Sequence, residues 1–262
     1  MIGALGLLLI GALANVWGQG LGDAPVPLSA EEVKRRWHSR LDGRHFVAKI
    51  RLEMNLGGMR EQRRVTVYRA DEDGASERVM LRFEAPPDLR NVALLYLENS
   101  DRSNDYFFYQ PATRRIRRLP ETVADGDVYG IDLEFLGFGV AQTEPTEIES
   151  MRIVKHGERA VYKLIERARR PNPRFEKRIT WLDASAFVPV RTEHIRSERK
   201  VLIAKTEEMR DIQGVVTPIR MSFEKPVDDE FVTLRVDSVD YDAEIPDNYF
   251  STLALIRARL TK

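Results

Sequence analysis

The most regular hydrophobic pattern of the chain lies in the segment that begins at Phe46. Apolar Phe46, Ile50, Leu52 and Met54 stand at alternate positions, and polar side chains such as Glu53 separate them. Successive side chains of a β-strand point to opposite faces of the sheet, so this alternation predicts a strand with one apolar and one solvated face. The apolar face of this strand is the first candidate for lining a hydrophobic interior.

A helix is predicted before this strand, and many further strands are predicted after it. The helix covers Glu31–Leu41, follows a capping box of Ser29 and Glu32, and places Val33 and Trp37 on one side. The later strands are predicted at Arg60–Arg69, Glu77–Phe83, Val92–Leu97, Tyr106–Tyr109, Arg114–Leu119, Arg152–Lys155, Ala160–Arg167, Phe175–Leu182, Val190–Arg196, Leu202–Ile212, Pro218–Phe223 and Phe231–Tyr241. We count about ten or eleven antiparallel strands, which predicts an α+β protein that is mainly β, with an open or closed barrel.

The stretch from Phe83 to Leu119 combines apolar, aromatic and basic strands. Pro86 and Pro87 end the first of these strands, because proline has no N–H for a ladder and its φ is fixed. The strand Tyr106–Tyr109 is aromatic on both faces, which is typical of a strand that is buried at least partly on each side. The next strand has arginines on both faces, since the period of two separates Arg115 and Arg117 from Arg118.

Three blocks of residues follow one another in a recognisable order. They read Phe83-Glu84-Ala85-Pro86, Val92–Leu97, Phe107-Phe108-Tyr109-Gln110-Pro111 and Arg114-Arg115-Ile116-Arg117-Arg118; then Thr180-Trp181-Leu182-Asp183 and Pro189-Val190-Arg191; then Ile245-Pro246-Asp247 and Phe250-Ser251. In this order and spacing the chain resembles the periplasmic outer-membrane lipoprotein-sorting proteins of the LolA/LolB-like class. It departs from that pattern at Asn91, where the family usually has glycine. Asparagine tolerates a left-handed turn better than most residues.

The resemblance implies a single carrier domain over residues 28–262. Its fold would be an open, unclosed antiparallel half-barrel with a helical lid over the concave apolar face. The domain would bind the acyl chains of a lipoprotein or a free lipid, taken from an inner-membrane transporter and passed to an outer-membrane acceptor. The candidate cavity residues are Phe46, Ile50, Leu52, Met54, Val65, Val67, Leu81, Phe83, Leu95, Phe107, Tyr109 and Trp181. For the aromatic members, ordinary core packing is the alternative.

The least strand-like part of the domain is residues 122–146. Its apolar residues are interrupted by Gly126, Gly130, Gly137 and Gly139, so it is expected to be helical only in short pieces. The resemblance favours a mobile lid for this segment. An ordinary loop that covers the core is the alternative.

The arginine-rich strand has two interpretations. Arg114, Arg115, Arg117 and Arg118 would suit acidic lipid headgroups or a membrane partner, because guanidinium binds phosphate in a bidentate manner. Alternatively, they belong to a solvated edge strand whose charges prevent association between sheets.

The N-terminus predicts a compartment. Residues 2–16 are almost continuously apolar or small, and Ala12-Leu13-Ala14 offers a cleavage site, so residues 1–18 are expected to be a signal peptide cleaved near Ala14 to Gly18. Residues 19–27 would be a spacer, and the mature protein would be periplasmic. No Lys or Arg precedes the apolar run, which leaves a mis-assigned start or an uncleaved anchor as alternatives. The absence of cysteine excludes a lipid-modified cysteine and any disulfide.

Composition and motifs argue against nucleic-acid binding and catalysis. The 41 basic and 41 acidic residues balance, so no bulk attraction to nucleic acid is expected. The histidines at positions 38, 45, 156 and 194 lack the spacing of a metal site, and no nucleophile motif or phosphate-binding glycine loop occurs. We therefore predict no enzyme, no cofactor and no metal. A non-carrying envelope adaptor of an inner-membrane transporter is the competing function.

Overall fold

The computed structural model of the protein describes residues 28–38, 45–71, 76–120, 127–128, 131–132, 145–169 and 173–257. The predicted signal peptide and spacer lie outside the described residues, as does Leu41 of the predicted first helix.

The described residues form strands with few helices. The strands are β1 His45–Leu56, β2 Met59–Asp71, β3 Glu77–Ala85, β4 Ala93–Leu97, β5 Asp105–Gln110, β6 Arg115–Leu119, β7 Asp127–Val128, β8 Ile131–Asp132, β9 Thr146–His156, β10 Arg159–Ala168, β11 Lys177–Asp183, β12 Pro189–Arg196, β13 Arg199–Ile212, β14 Val215–Lys225 and β15 Glu230–Asp240. The helices are α1 Ala30–His38 and α2 Thr252–Ile256, and a 3-10 turn covers Asp247–Tyr249. Neither described α-helix has the length and hydrophobicity needed to span a membrane.

Thirteen of the strands form one antiparallel sheet. Their order is β6-β5-β4-β3-β2-β1-β15-β14-β13-β12-β11-β10-β9, and the edge strands β6 and β9 are not paired with each other. The sheet is therefore open, as the resemblance implied, and the prediction of a mainly β protein is confirmed. The estimate of ten or eleven strands was too low, although each of the thirteen strands of this sheet overlaps a segment that was predicted to be a strand.

One face of this sheet is apolar across most of its width, and we call it the Phe46 face. On β1, Phe46, Ile50 and Leu52 are buried, whereas Lys49 and Glu53 are exposed, so the predicted alternation is confirmed. Ile50 lies opposite Val65 on β2 and opposite Val236 on β15. Because paired residues of adjacent strands point to the same side, the register carries this face across the sheet in both directions.

Helix α1 covers the far end of the Phe46 face, over β10 and β11. The backbone N–H of Glu32 donates to the Ser29 hydroxyl at 3.1 Å, as the capping box predicted. Val33 and Trp37 are buried against a cluster on the sheet that contains Tyr162, Leu164 and Leu182. The apolar spacing of the helix thus docks it on the sheet.

The opposite side of the sheet, which we call the Leu95 face, is covered by the C-terminal segment. Tyr249, Phe250, Ala254 and Leu255 pack there with residues of β2 to β5, including Leu95. Ser251 caps α2, since its hydroxyl accepts from the backbone N–H of Ala254 at 3.2 Å. The third block of the sequence resemblance therefore forms the cover of the second face.

Residues 122–146 are described only in part. Among the described positions, Asp127–Val128 and Ile131–Asp132 pair as a two-stranded hairpin, so helix is the wrong assignment for these residues. The rest of the predicted lid up to residue 144 lies outside the described residues. Asn91, in the connection between β3 and β4, has a φ of 66°, which is the left-handed conformation that its position was predicted to need.

Arg82 gives a test of the C-terminal cover. Its buried guanidinium donates to the carbonyls of Ala254 at 3.1 Å and Leu255 at 3.3 Å, at the end of α2. Arg82→Ala is expected to lower the free energy of unfolding by about 2–4 kcal/mol, because a cavity and unsatisfied carbonyls remain. Denaturant titration measures this change. Arg90→Ala, at an exposed turn position, should change it by less than about 0.5 kcal/mol, and equal losses in both variants would contradict the role of Arg82.

Candidate functional site

The candidate site is the apolar surface of the Phe46 face. It is built from alternate residues of β1 to β5 on one side of the sheet centre and of β13 to β15 on the other. Eight predicted cavity residues lie together in it, all of them buried: Phe46, Ile50, Leu52, Met54, Val65, Val67, Leu81 and Phe83. The structure therefore brings together all the predicted residues on β1, β2 and β3.

Three other predicted cavity residues lie on the opposite side of the sheet. Leu95, Phe107 and Tyr109 pack against the C-terminal segment on the Leu95 face, so their placement with the first eight is corrected. Their neighbours take that place, because successive residues alternate between faces. The sequence could not decide between the two sets, since β4 and β5 are apolar or aromatic at almost every position.

Trp181 also lies away from the Phe46 face. Its neighbours Thr180 and Leu182 are buried, whereas Trp181 is half-buried between two cations. The Lys163 ammonium lies 5.0 Å from the centre of the Trp181 ring, and the Arg191 guanidinium carbon lies 5.7 Å from it. The indole therefore belongs to a cation–π stack on β10, β11 and β12 rather than to the apolar surface.

Sequence reasoning missed a large part of this surface. The missed residues on β4 and β5 and on the C-terminal strands are Leu94, Tyr96, Tyr106, Leu202, Ile219, Met221, Phe223, Val232, Leu234 and Val236. The alternation of β14 and β15 was visible in the sequence, but it does not reveal that β15 pairs with β1. That pairing, with Leu234 opposite Leu52, makes the two halves of the surface continuous.

A buried ion pair stands within the Phe46 face. The Arg69 Nε donates to Glu77 Oε1 at 2.5 Å between β2 and β3, and both side chains are buried. The Arg69 guanidinium carbon also lies 5.9 Å from the centre of the Phe46 ring. Because each charge has its counter-charge, the pair places a polar but neutral group beside the apolar surface.

A second buried charge cluster fastens α1 to the sheet. The carboxylate of Glu166, with no solvent exposure, accepts from Lys34 Nζ at 2.8 Å and from Thr146 Oγ1 at 2.7 Å. Arg178 Nη2 lies 2.8 Å from its other oxygen, and the Arg178 guanidinium stacks 5.3 Å from Trp37. Burial raises the pKa of Glu166, but Arg178 and Lys34 outweigh it, so the pKa lies below its ordinary value.

The predicted headgroup arginines fall into two groups. Arg118 is paired with the buried Asp105 at 2.5 Å. The pKa of Asp105 is lowered to about 2, first by the Arg102 hydrogen bond and then by that of Arg118. Arg115 and Arg117 are exposed on β6, whereas Arg114 lies in the preceding turn with a φ of 52°. Within the described residues these last three arginines make no ion pair.

The described side chains suit binding more readily than catalysis. No group of three or more His, Asp or Glu in the described residues could hold a metal ion. The buried carboxylates Glu166 and Asp105 are each held by cations that lower their pKa, which leaves them poorly suited to accept a proton. The Phe46 face is thus an apolar surface whose buried charges are paired with counter-charges.

Several solved structures have a fold similar to that of this chain. A candidate outer membrane lipoprotein-sorting protein domain from Vibrio parahaemolyticus superposes with a TM-score of 0.75 at 17% identity, covering 86% of this chain and 97% of that one. A DUF1329 family protein from Desulfovibrio piger gives 0.72 at 19% identity, with 86% and 96% covered. A LolA superfamily protein from Nitrosomonas europaea gives 0.63 at 16% identity, with 87% and 100% covered.

Sequence comparison adds a family assignment. A family model with the description "Uncharacterized protein" matches residues 75–257, which is more than half of the chain. The chain therefore belongs to that family. No curated protein sequence matches the chain. The LolA-like resemblance read from the sequence is confirmed by these fold similarities.

The Glu166 cluster gives a pH-dependent prediction. Glu166→Gln is expected to destabilise the protein by about 3–5 kcal/mol near neutral pH, because Lys34 and Arg178 lose a buried counter-charge. The lowered pKa means that the carboxylate stabilises the fold fully above its ordinary value of 4.5, and that this contribution is lost as the pH falls through the lowered pKa. The gap between the variant and the wild type should therefore narrow on acidification, as measured by denaturant unfolding at a series of pH values.

The matched control for this prediction is Glu149→Gln. Glu149 is a more exposed carboxylate, 3.2 Å from Arg167, and its loss should change the free energy of unfolding by less than about 1 kcal/mol at every pH. A Glu166→Gln deficit that stays constant with pH would show that shape, and not charge, accounts for the effect.

Proposed function

We propose that the protein is a carrier that binds acyl chains, of a lipoprotein or of a free lipid, on the apolar surface of the Phe46 face. The observation that carries the proposal is the continuity of this surface over β1 to β5 and β13 to β15. Removal of apolar area from water contributes about 25 cal/mol per Å². A long hydrocarbon chain laid across several strands is the ligand that uses such a surface best.

The similar structures support this proposal. One is described as an outer membrane lipoprotein-sorting candidate and another as a LolA superfamily protein, and both have nearly their whole length covered by this chain. Carriage of lipid between membranes is consistent with a periplasmic location. The donor would then be an inner-membrane transporter, and the acceptor would lie at the outer membrane.

In this proposal the cover of the acyl-binding surface includes α1. The helix packs on the same side of the sheet as Phe46. Leu202 belongs to the Phe46 face, and across the next strands it is followed by the paired residues His194, Arg178 and Glu166, which point to the same side. Glu166 binds Lys34 of the helix. The Lys34–Glu166 contact then fixes the edge of the covered area. Residues 122–146 would complete the cover as a lid.

A second function, the non-carrying adaptor, is favoured by one observation. Phe46 and Leu52 have no solvent exposure, and Ile50 and Met54 have 1% and 3%. An interior packed in this way needs no ligand. An adaptor would use its loops and the β6 edge to contact a transporter, and it would stay empty under all conditions.

Lipid binding separates the two functions. Native mass spectrometry of the protein purified without detergent is expected to show a bound lipid or acylated peptide, and a fluorescent fatty acid should bind the emptied protein. Met54→Gln, which places an amide in the apolar surface, is expected to weaken this binding about tenfold, because burial of a methionine side chain contributes about 1.5–3 kcal/mol.

The control is the same substitution at Met59, which is 66% exposed at the start of β2, and this variant should bind fatty acid like the wild type. Circular dichroism verifies that both variants fold. A wild-type protein that is empty after purification and takes up no fatty acid would refute the carrier and favour the adaptor.

A further inference from the structure

Helix α2 carries two aliphatic side chains that point away from the sheet. Ala254 and Leu255 are buried in the cluster of the Leu95 face, but Leu253 is 57% exposed and Ile256 is 50% exposed. Residues three apart share one side of a helix, so these two side chains form a single apolar spot. A helix that needed only to cover the sheet would have polar residues at both positions.

Helix α2, which carries this apolar spot, lies over β4 and β5, and β5 is the neighbour of the edge strand β6. The α2 helix contacts β4 and β5, and Phe107 of β5 and Ile116 of β6 pack against the same cluster as Ala254 and Leu255. Arg82, which binds the end of α2, lies opposite Ala93, and Ala93 lies opposite Tyr109. These residues are close to the end of the sheet at which the turn between β5 and β6 is located.

The neighbouring strands are strongly basic. Residues 101–119 contain five arginines and two aspartates. Asp105 is shared by Arg102 and Arg118, whereas Arg114, Arg115 and Arg117 have no acidic partner among the described residues. Arg257, directly after α2, is also exposed. Edge protection explains a charge or two on β6, but it does not explain the exposed aliphatic side chains of α2 at the same edge of the sheet.

We propose that α2 and the β5–β6 hairpin together dock on the surface of an anionic phospholipid bilayer. Leu253 and Ile256 enter the boundary between headgroups and acyl chains, and Arg114, Arg115 and Arg117 bind headgroup phosphates. Both components are those that hold proteins at membrane interfaces: an aliphatic anchor and a cluster of guanidinium groups. Bidentate binding by guanidinium favours phosphate as the partner group.

If the protein is the carrier proposed above, docking of α2 and the β5–β6 hairpin also positions the acyl-binding face relative to the bilayer. Arg115 and Arg117 lie on the Phe46 side of β6, because Phe108 is opposite Arg117, whereas α2 lies on the Leu95 side. Docking would therefore bring the β6 edge of the sheet to the bilayer. An acyl chain leaving the Phe46 face past β5 and β6 would then enter the membrane directly.

Flotation with lipid vesicles tests the proposal. The purified protein is mixed with vesicles of phosphatidylcholine alone or of an equimolar mixture with phosphatidylglycerol, and it is expected to float only with the mixture. Added salt should weaken the binding. Arg115→Glu combined with Arg117→Glu is expected to reduce the affinity at least tenfold, since each basic residue near such a surface contributes about 1 kcal/mol.

A matched control lies on the opposite edge of the sheet. Arg152 and Lys155 are exposed on β9, and changing both to Glu alters the net charge equally. This variant should bind the mixed vesicles within about twofold of the wild type, because its charges lie far along the sheet from β6. Leu253→Ser combined with Ile256→Ser should leave a weak binding that salt abolishes completely.

Two results would overturn the docking surface. One is equal loss of vesicle binding in the β6 and β9 variants, which would indicate a response to net charge alone. The other is a wild type that binds no anionic vesicles, as expected if the basic edge meets an acidic protein instead. Fatty-acid binding is measured on the same samples, and it should be unchanged in all three double variants. Failure of docking is thereby distinguished from failure of the carrier function.

Discussion

The pairing of β1 with strands from both ends of the chain is the constraint on which the rest of the structure depends. β1 pairs with β2 along its whole length on one side and with β15 on the other, so the first and last strands of the chain are neighbours in the middle of the sheet. Leu52 stands opposite Leu234, and Ile50 stands opposite Val236. A slip of one residue in this register would turn the apolar side chains of half the sheet to the other face. The strict alternation of β1 therefore defines a single apolar surface for strands that are far apart in sequence.

The sequence revealed the elements more readily than their faces. The alternation beginning at Phe46, the Ser29 cap and the turn at Asn91 depend on neighbouring residues, and the structure confirms all three. The faces of β4 and β5 depend on distant partners. Leu95 and Tyr109 are as apolar as Leu94 and Tyr106, and only the packing of the C-terminal segment distinguishes them. The Glu166 cluster was likewise hidden, because Lys34 and Glu166 are 132 residues apart.

The buried charges complement this division of faces. Glu166 with Lys34 and Arg178, and Glu77 with Arg69, lie on the Phe46 face, and Arg82 lies on the other face beneath α2. Glu166 and Arg82 each hold a helix that covers the sheet, whereas the Arg69–Glu77 pair joins β2 to β3. Such pairs contribute little net stability compared with apolar packing, but leaving one partner alone is costly. They therefore specify where the covering helix sits.

The positions of the buried ion pairs indicate where a ligand could enter an apolar surface that is almost fully buried. Apolar packing alone has no preferred edge, since hydrophobic contacts are non-directional. The Glu166 cluster lies at the β9–β11 end of the Phe46 face and binds Lys34 of α1. The buried charges of the β1–β5 part, Arg69 with Glu77 and Arg63 with Glu61, are instead paired within β2 and β3. A ligand that displaces cover from β1 to β5 would exchange one apolar contact for another. A ligand that enters under α1 would have to break buried ion pairs, so the proposed path for an acyl chain runs along the first five strands.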